Sequence, residues 1–183
     1  MKKYKIRFII CCCLAVGLAM VNTSSYGQGN VVKINIFSPI VKTFNVAYEK
    51  KINATSSAQL GFFYTGYSTG DTKFSGFGIT PEYRFYLSDT EAPQGVYVAP
   101  FVRYQSFKLE DKSFNNKGEF TAFGGGLTIG KQWIFKERVS LDIFIGPAYF
   151  TGDTKVTSGT NTFDTDAFDG FTIRTGLTLG IAF

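Results

Sequence analysis

Histidine is missing from this chain, and cysteine is confined to one short stretch. The 183 residues contain no histidine, and the three cysteines are the consecutive residues Cys11, Cys12 and Cys13. The absence of histidine excludes Ser-His and Cys-His nucleophiles and the usual zinc sites. The cysteines lie in an N-terminal segment that we expect to be removed, which leaves no disulfide or thiolate chemistry. We therefore expect no catalytic residue, no metal site and no cofactor.

A long apolar helix is also missing from the sequence. The apolar run from Phe8 to Val21 is shorter than the roughly 20 residues that a membrane-spanning helix needs. Four basic residues precede it, and the small residues Ser25 and Gly27 follow it. This order is typical of a secretory signal peptide. We predict that residues 1–27 are a cleaved signal peptide and that residues 28–183 form one exported domain, whose membrane insertion would have to use strands.

The basic charge of the chain is concentrated in this leader. Lysine and arginine number 19 against 14 acidic residues, a formal net charge of +5. Four of the basic residues belong to the leader, so the mature chain carries 15 basic residues against 14 acidic ones. A domain so close to neutral has no excess of positive charge to attract nucleic acid. We expect no nucleic-acid partner.

The last thirteen residues show the clearest pattern in the chain. From Phe171 to Phe183, mostly apolar residues alternate with small or polar ones, as in a strand with two different faces. A terminal aromatic residue on such a strand resembles the signal by which bacterial outer-membrane barrels are recognised for assembly. We therefore interpret Phe183 as an assembly signal.

Seven further segments alternate in the same way, each roughly ten residues long. With the last strand, the predicted strands are Val31–Phe37, Thr43–Lys50, Ser57–Thr65, Phe74–Leu87, Gly95–Leu109, Glu119–Ile134, Val139–Phe150 and Phe171–Phe183. Eight alternating segments match the signature of a transmembrane barrel. The sequence predicts an all-β fold: an eight-stranded antiparallel up-and-down transmembrane β-barrel.

The predicted connections between these strands alternate in length. Short turns are predicted at 51–54, 88–94 and 135–138, and longer polar loops at 66–73, 110–118 and 151–169; the remaining connection, 38–42, is short. Short periplasmic turns and longer outer loops are typical of outer-membrane barrels. We predict a location in the bacterial outer membrane with both termini in the periplasm.

One face of every predicted strand is apolar, and we expect it to face lipid. Three prolines lie on this face: Pro81, Pro100 and Pro147. Because proline removes a donor from the hydrogen-bonded ladder, they predict local bulges or strand ends. Alternation also points Lys131 outward. Either its ammonium reaches the lipid headgroups, or the register of the strand slips near this residue. Six aromatic residues lie near strand ends on the same face, where interfacial girdles belong: Tyr48, Tyr64, Tyr83, Tyr104, Trp133 and Tyr149.

The opposite face of the strands carries seven charged residues, and a membrane barrel turns this face towards its lumen. They are Lys33, Glu49, Glu82, Arg84, Arg103, Asp142 and Arg174. An eight-stranded barrel is just wide enough for its side chains, and charges buried there must pair. We predict a packed polar lumen in which the three carboxylates pair with some of the four cations. This network is assigned a structural role, with a proton or ion path as the alternative.

A pentapeptide occurs twice in the chain. Thr-Gly-Asp-Thr-Lys stands at 69–73 and again at 151–155, each time after a strand that leads to a predicted outer loop. Shared turn chemistry is a simpler explanation than duplication of a hairpin.

Four segments of the strands carry a resemblance to a known family. They are Gly78–Tyr86, Tyr97–Tyr104, Gly124–Trp133 and Leu141–Pro147. These segments resemble a family of small outer-membrane barrels of unknown function from Gram-negative bacteria of the gut-anaerobe lineage. The architecture also resembles the porin-like eight-stranded barrel of outer membrane protein A. The resemblance implies a fold and a location, and it brings no established activity with it.

The sequence as a whole predicts a monomeric, non-catalytic outer-membrane barrel with a structural or surface-interaction role through its outer loops. Its expected partners are outer-membrane lipids and the barrel-assembly machinery, with the partner of the loops unidentified. One alternative is an outer-membrane barrel that binds or transports a small hydrophobic molecule. That function would need a lateral opening, which a strand proline could mark. A second alternative is a soluble periplasmic ligand-binding barrel, which would need the two faces reversed.

Overall fold

Eight strands make up almost all of the structure. A computed structural model describes residues 29–111, 116–158 and 169–183, so the predicted signal peptide and the centres of two predicted outer loops lie outside it. The strands are β1 (Asn30–Asn35), β2 (Thr43–Asn53), β3 (Ser56–Thr69), β4 (Thr72–Tyr86), β5 (Gly95–Asp111), β6 (Asn116–Phe135), β7 (Val139–Ser158) and β8 (Gly170–Ala182).

The strands close into an antiparallel up-and-down barrel, which confirms the predicted fold. Each strand pairs with the next, and β1 pairs with β8 to complete the wall. Asn30 and Phe183 meet at one end, where their backbones exchange hydrogen bonds of 3.2 and 2.9 Å. We call this end the base and the opposite end the rim. None of the helices among the described residues is long and apolar enough to cross a membrane.

The strands run further towards the rim than the sequence predicts. Thr69 pairs with Thr72 across a two-residue turn, so most of the predicted loop 66–73 is strand. β7 continues to Ser158, well inside the predicted loop 151–169. The loop predictions are wrong at these places because the hydrogen bonds between paired strands join backbone groups and do not require apolar side chains. A hairpin can therefore continue after its apolar alternation has ended.

The two copies of the pentapeptide have different structures. Residues 69–73 contain the turn between β3 and β4, whereas residues 151–155 lie inside β7. The explanation by shared turn chemistry is therefore wrong.

β1 is short and ends before its predicted limit. Ser38–Val41 form a single turn of 3-10 helix, with Pro39 near its start, where a missing N–H costs nothing. Lys42 then adopts a left-handed conformation with φ of 54°, and β2 begins at the next residue. The six residues of β1 consequently cover only part of the height of the neighbouring strands.

Side chains point inward and outward in the predicted alternation. On β7, Ile143 and Ile145 are about half exposed on the outside, at 49% and 54%, while Asp142 and Phe144 are buried inside. Lys131 points outward in an unbroken register, with its ammonium 5.2 Å from the centre of the Trp133 ring. The apolar face of the barrel is therefore its outer face.

The three strand prolines leave the register unchanged. The β4–β5 register is the same on both sides of Pro81 and Pro100, and the β6–β7 register is the same on both sides of Pro147. The predicted bulges and strand ends are wrong, because each proline removes ladder pairs without an extra residue being inserted. Beside Pro147 the backbones approach so closely that a Cβ on Gly146 would lie 1.9 Å from the carbonyl oxygen of Leu127.

Candidate functional site: the lumen of the barrel

The lumen differs between its two ends. Towards the base it holds a cluster of buried ionic side chains, which we call the base cluster: Lys33, Glu49, Glu82, Arg84 and Asp142. Towards the rim it holds aromatic side chains and a cavity. Arg103 and Arg174 lie between the two. All seven charged residues that the sequence places in the lumen therefore have lumen positions.

Arg84 of β4 connects the carboxylates of the base cluster. Its guanidinium donates to Glu82 Oε1 at 2.7 Å and to Asp142 Oδ2 at 2.8 Å, and it lies 3.6 Å from Glu49 Oε2. The ring of Tyr97 covers the guanidinium at 4.2 Å. Arg84 is completely buried, and these contacts replace its hydration except at Nη2, which has no hydrogen-bond partner among the described residues.

Lys33 of β1 is the second cation of the base cluster. Its ammonium forms ion pairs with Glu49 of β2 and with Asp142 of β7, the latter at 3.2 Å. It also donates to the amide oxygen of Gln132 on β6. One ammonium thus joins three other strands across the lumen.

Neutral side chains complete the hydrogen bonding of the carboxylates. Tyr86 donates to Glu49 at 2.6 Å, Ser57 donates to the same carboxylate, and Tyr97 donates to Asp142 at 2.8 Å. The sequence alone predicted no role in this network for these residues, although it placed Tyr86 on the lumen face. Tyr86, Ser57 and Tyr97 face the lumen by simple alternation, so the signal was present in the pattern.

The connection at 87–94 joins β4 to β5, and we call it the base turn. It closes the lumen below the base cluster. Ala92 and Pro93, in the connection between β4 and β5, are both buried, and Ala92 donates its N–H to Ala54 of the neighbouring turn at 2.8 Å. The side-chain amide of Gln132 donates to the carbonyl oxygen of Pro93 at 2.6 Å. The connection at 87–94 therefore folds inward and is held by the same glutamine that accepts from Lys33.

Glu82 links the base cluster to the rim half of the lumen. One of its oxygens accepts from Arg84, and the other accepts from Arg174 of β8 at 2.6 Å. The guanidinium of Arg174 also lies over the rings of Phe101 and Phe144, at 4.3 and 4.8 Å. A single carboxylate thus contacts two arginines.

Arg103 of β5 is the exception among the seven charged residues. Its Nε donates to Thr80 at 2.9 Å, and its guanidinium lies 5.6 Å from the centre of the Phe63 ring. Among the residues that the structure describes, no carboxylate lies within ion-pair distance of Arg103. At the seven predicted lumen positions the barrel therefore has four cations and three carboxylates.

Aromatic rings fill the lumen above Arg103. Phe107 contacts Phe63, Phe74 and Phe120, with ring centres 6.1, 5.6 and 6.5 Å apart, and Tyr67 contacts Phe74 at 5.5 Å. We call these five residues the rim aromatics. The prediction of a polar face omitted these rings. Phe63 stands beside the outward Phe62, which interrupts the alternation of apolar and polar residues, and Tyr67 falls within the predicted loop 66–73.

A cavity of about 640 Å³ lies between the base cluster and the rim aromatics. Its polar lining includes Asn45, Gln59, Thr80, Gln105 and the two arginines; its apolar lining includes Phe63, Phe144 and Phe150. The prediction of a lumen that is packed throughout is therefore too simple for the rim half.

The described residues hold no arrangement for metal binding. No group of three or more Asp, Glu, His or Cys side chains within residues 29–111, 116–158 and 169–183 could coordinate an ion. The lumen carboxylates instead face arginine, lysine and hydroxyl groups. Such an arrangement can bind charged groups by ion pairing and hydrogen bonding.

The profile of one family, described as a protein of unknown function (DUF3575), matches residues 9–167. Among curated proteins, none matches the chain.

Several solved structures have a similar course of the chain at low sequence identity. The N-terminal β-barrel domain of Pseudomonas aeruginosa OprF has a TM-score of 0.44 at 13% identity, covering 86% of this chain and all of that domain. A major outer membrane protein from Thermus thermophilus has a TM-score of 0.49 at 16% identity, with coverages of 84% and 98%. Acinetobacter baumannii CarO has a TM-score of 0.44 at 11% identity, with coverages of 85% and 96%.

Proposed function

The chain belongs to DUF3575, a family of proteins of unknown function, and from that premise we propose that it is an integral outer-membrane β-barrel. In this proposal the base cluster has a structural role, the hairpins at the rim contact partners outside the cell, and the barrel catalyses no reaction. Outer-membrane lipids surround the monomer, and no cofactor takes part.

The observation that carries the proposal is an apolar belt around the outside of the barrel. On β7 the outward residues from Val139 to Tyr149 are apolar or aromatic without exception. Ten residue steps span about 33 Å along a strand, which is about 25 Å along the axis at a typical tilt of about 40°. A belt of about 25 Å is the height that lipid-facing bands of outer-membrane barrels have.

Polar residues replace the belt towards the rim. After Tyr149 the next outward residues of β7 are Thr151 and Asp153, and after Tyr104 those of β5 are Ser106 and Lys108. Tyr64, Tyr104 and Tyr149 thus lie where the belt ends, as interfacial aromatic residues do. The strands continue beyond this level as polar hairpins, which supports a rim that stands clear of the bilayer.

The proposed orientation places the base, with both termini, in the periplasm. A signal peptide at residues 1–27 would deliver the chain there, and Phe183 at the end of the last strand would serve as the signal for the assembly machinery. The short turns at the base and the extended hairpins at the rim are consistent with this direction.

A soluble periplasmic barrel is the weaker proposal. It would need its apolar side chains in the lumen and its charges outside, whereas Arg84, Glu49 and Asp142 are inside and wholly buried. Leaving side chains such as Ile173 and Phe171 more than 60% exposed would make a soluble barrel prone to association.

Gel mobility of the protein from isolated outer membranes tests the membrane assignment. Without boiling we expect a faster band that slows after boiling, because a closed barrel survives in detergent. Recovery of the protein in the soluble periplasmic fraction, with no change on heating, would contradict the proposal.

Cysteine labelling tests the orientation, because the mature chain is predicted to have no cysteine. We expect Thr151→Cys, near the rim, to react with a membrane-impermeant maleimide on intact cells. Asp89→Cys, in the base turn, should react only after the outer membrane is permeabilised. The reverse pattern would show that the termini face outward.

A further inference from the structure

The barrel wall is incomplete on one side near the rim. The pairing of β1 with β8 ends where Asn35 faces Thr178, with one further hydrogen bond of 3.2 Å from Ile36 to Leu177. Beyond that level, residues 170–176 of β8 have no strand partner on the β1 side among the residues that the structure describes. Because β1 is short, a gap in the ladder separates this part of β8 from the start of β2.

The gap leads into the cavity of the rim half. Ile173 and Phe171, which point outward beside the gap, line the cavity together with Thr172 and Arg174 of the same strand. Asn45 of β2 lines it from the other margin of the gap. The outer apolar face and the lumen are therefore continuous here.

Pro81 and Pro100 border a different cavity, of about 600 Å³, on the outer face of β4 and β5. Between Pro81 and Pro100, Glu82 remains paired with Phe101, and the wall keeps one register throughout. The gap beside β8 leads instead into the cavity that Arg103 and Arg174 line.

Arg103 and Arg174 are accompanied in the cavity lining by one acidic residue, the exposed Asp169, so the lining keeps a net positive charge. Arg174 shares Glu82 with Arg84, whereas Arg103 has no carboxylate partner within the described residues. Both guanidinium groups line the same cavity, so two like charges share one space. Buried like charges of this kind favour an anion between them, and a guanidinium presents parallel donors that match a carboxylate or a phosphate.

The rest of the lining is suited to an aliphatic chain. Phe63, Phe144 and Phe150 contribute aromatic surface, and Phe63 contacts Phe107 of the rim aromatics. The volume of about 640 Å³ lies within the range of small-molecule sites. The base cluster and the inward-folded turn close the lumen below, so a molecule in the cavity has no open path to the base.

We propose that this cavity binds a single-chain amphiphile with an anionic head, reached from the lipid through the gap between β8 and β2. The head lies between Arg103 and Arg174, and the aliphatic chain lies along the aromatic lining towards the gap. The inference rests on the membrane placement proposed above. A fatty-acid carboxylate and the phosphate of a single-chain lipid share this chemistry.

Palmitate labelled with ¹³C at its carboxyl carbon tests the site. The protein, purified from outer membranes and placed in phosphatidylcholine nanodiscs, should give a bound resonance that saturates at one palmitate per barrel. Arg103→Met should weaken binding by about tenfold or more, because a charge-assisted pair is lost. Arg103→Lys should restore part of the affinity. Failure to enter nanodiscs would overturn the membrane placement; entry with no saturable resonance would overturn only the binding site.

Matched controls separate the arginine from general effects of charge. Lys108→Met removes a positive charge from the exposed side of the same strand and should leave binding unchanged. Equal losses for Lys108→Met and Arg103→Met, or equal competition by uncharged hexadecanol, would overturn the anion site. Displacement by palmitoyl lysophosphatidate at lower concentrations than palmitate would identify a lipid phosphate as the preferred head; weaker displacement would identify a carboxylate.

The path through the gap has its own test. Ile173→Trp narrows the margin of the gap and should slow palmitate loading from the nanodisc lipid. Val102→Trp, at an outward position on β5 on the far side of the barrel, should load at the wild-type rate. Equal loading rates would show that the ligand does not pass between β8 and β2.

Discussion

Arg84 and Arg103 lie on neighbouring strands of the same lumen and have opposite surroundings. Arg84 contacts three carboxylates and is completely buried, while Arg103 contacts one hydroxyl and one ring beside a cavity. The base half of the lumen pairs its charged side chains with one another, although Arg84 Nη2 has no hydrogen-bond partner among the described residues. The rim half leaves a cation beside open volume.

The comparison shows that a lumen charge can have either of two roles in one barrel. Where carboxylates, hydroxyls and amides surround a cation, its loss leaves other buried charges without a partner and destabilises the fold. Where the cation faces a cavity, its loss relieves repulsion and removes a contact for a ligand. The predictions below test this difference in order of decreasing effect on stability.

Arg84→Met should have the largest effect. It leaves Glu49, Glu82 and Asp142 buried with fewer partners, and breaking a buried ion pair costs about 3–5 kcal/mol. We expect a loss of this size in urea unfolding of the barrel in phosphatidylcholine vesicles, followed by tryptophan fluorescence. Arg84→Lys, which keeps the charge, should lose less. A midpoint equal to that of the wild type would show that the base cluster does not stabilise the barrel.

Glu82→Gln should have an intermediate effect, because this carboxylate joins the two halves. The substitution leaves Arg84 its contact with Asp142 but removes the charge that faces Arg174. Hydrogen bonds to charged groups contribute about 1.5–3 kcal/mol, and we expect a loss in the lower part of this range from the same urea titration. A loss as large as that of Arg84→Met would argue against a division of the lumen into two halves.

Arg103→Met should change stability by less than about 1 kcal/mol, because no ion pair is broken and a hydrogen bond to a neutral group contributes about that much. The double variant Arg84→Met/Arg103→Met should then be at most about 1 kcal/mol less stable than Arg84→Met alone. Destabilisation of Arg103→Met by several kcal/mol would mean that a partner for this cation had been overlooked.

Glu91→Gln should have the smallest effect. The carboxylate of Glu91 is exposed in the base turn, and the hydrogen bond and charge of Lys51 hold its pKa below the usual range. A lowered pKa means that the pair stabilises the fold above the ordinary glutamate pKa and that this contribution is lost as the pH falls through the lowered value. Because exposed ion pairs contribute little, the unfolding midpoints of wild type and variant should coincide at neutral pH and below. A clear difference at neutral pH that vanishes in acid would contradict this expectation.

Period-two alternation was sufficient to predict the fold and the direction of the side chains. It placed Lys33, Glu49 and Asp142 on one face because each strand turns successive side chains to opposite sides. It could not predict which charges pair, since pairing depends on the heights at which side chains from different strands meet. Arg84 and Arg103 both lie in segments with period-two alternation, yet their side chains have different partners.

The pentapeptide shows a second limit of local sequence. Residues 69–73 turn because β3 and β4 end there together, and the same five residues at 151–155 stay extended because β6 continues beside them. The neighbouring strand, rather than the local composition, decides the outcome. The gap beside β8 was equally hidden, since it follows from the shortness of β1 relative to a strand that is distant in sequence.

The inward-folded turn at 87–94 has a consequence for the cell envelope. Pro93 sits under the lumen and is held by Gln132, while Lys33 and Arg84 lie directly above in contact with their counter-ions. In the proposed membrane placement, such a floor would deny ions and nutrients an aqueous passage, and the barrel would add no leak to the permeability barrier. Cells could carry many copies without osmotic penalty, and planar-bilayer recordings of the purified protein should show no conductance steps.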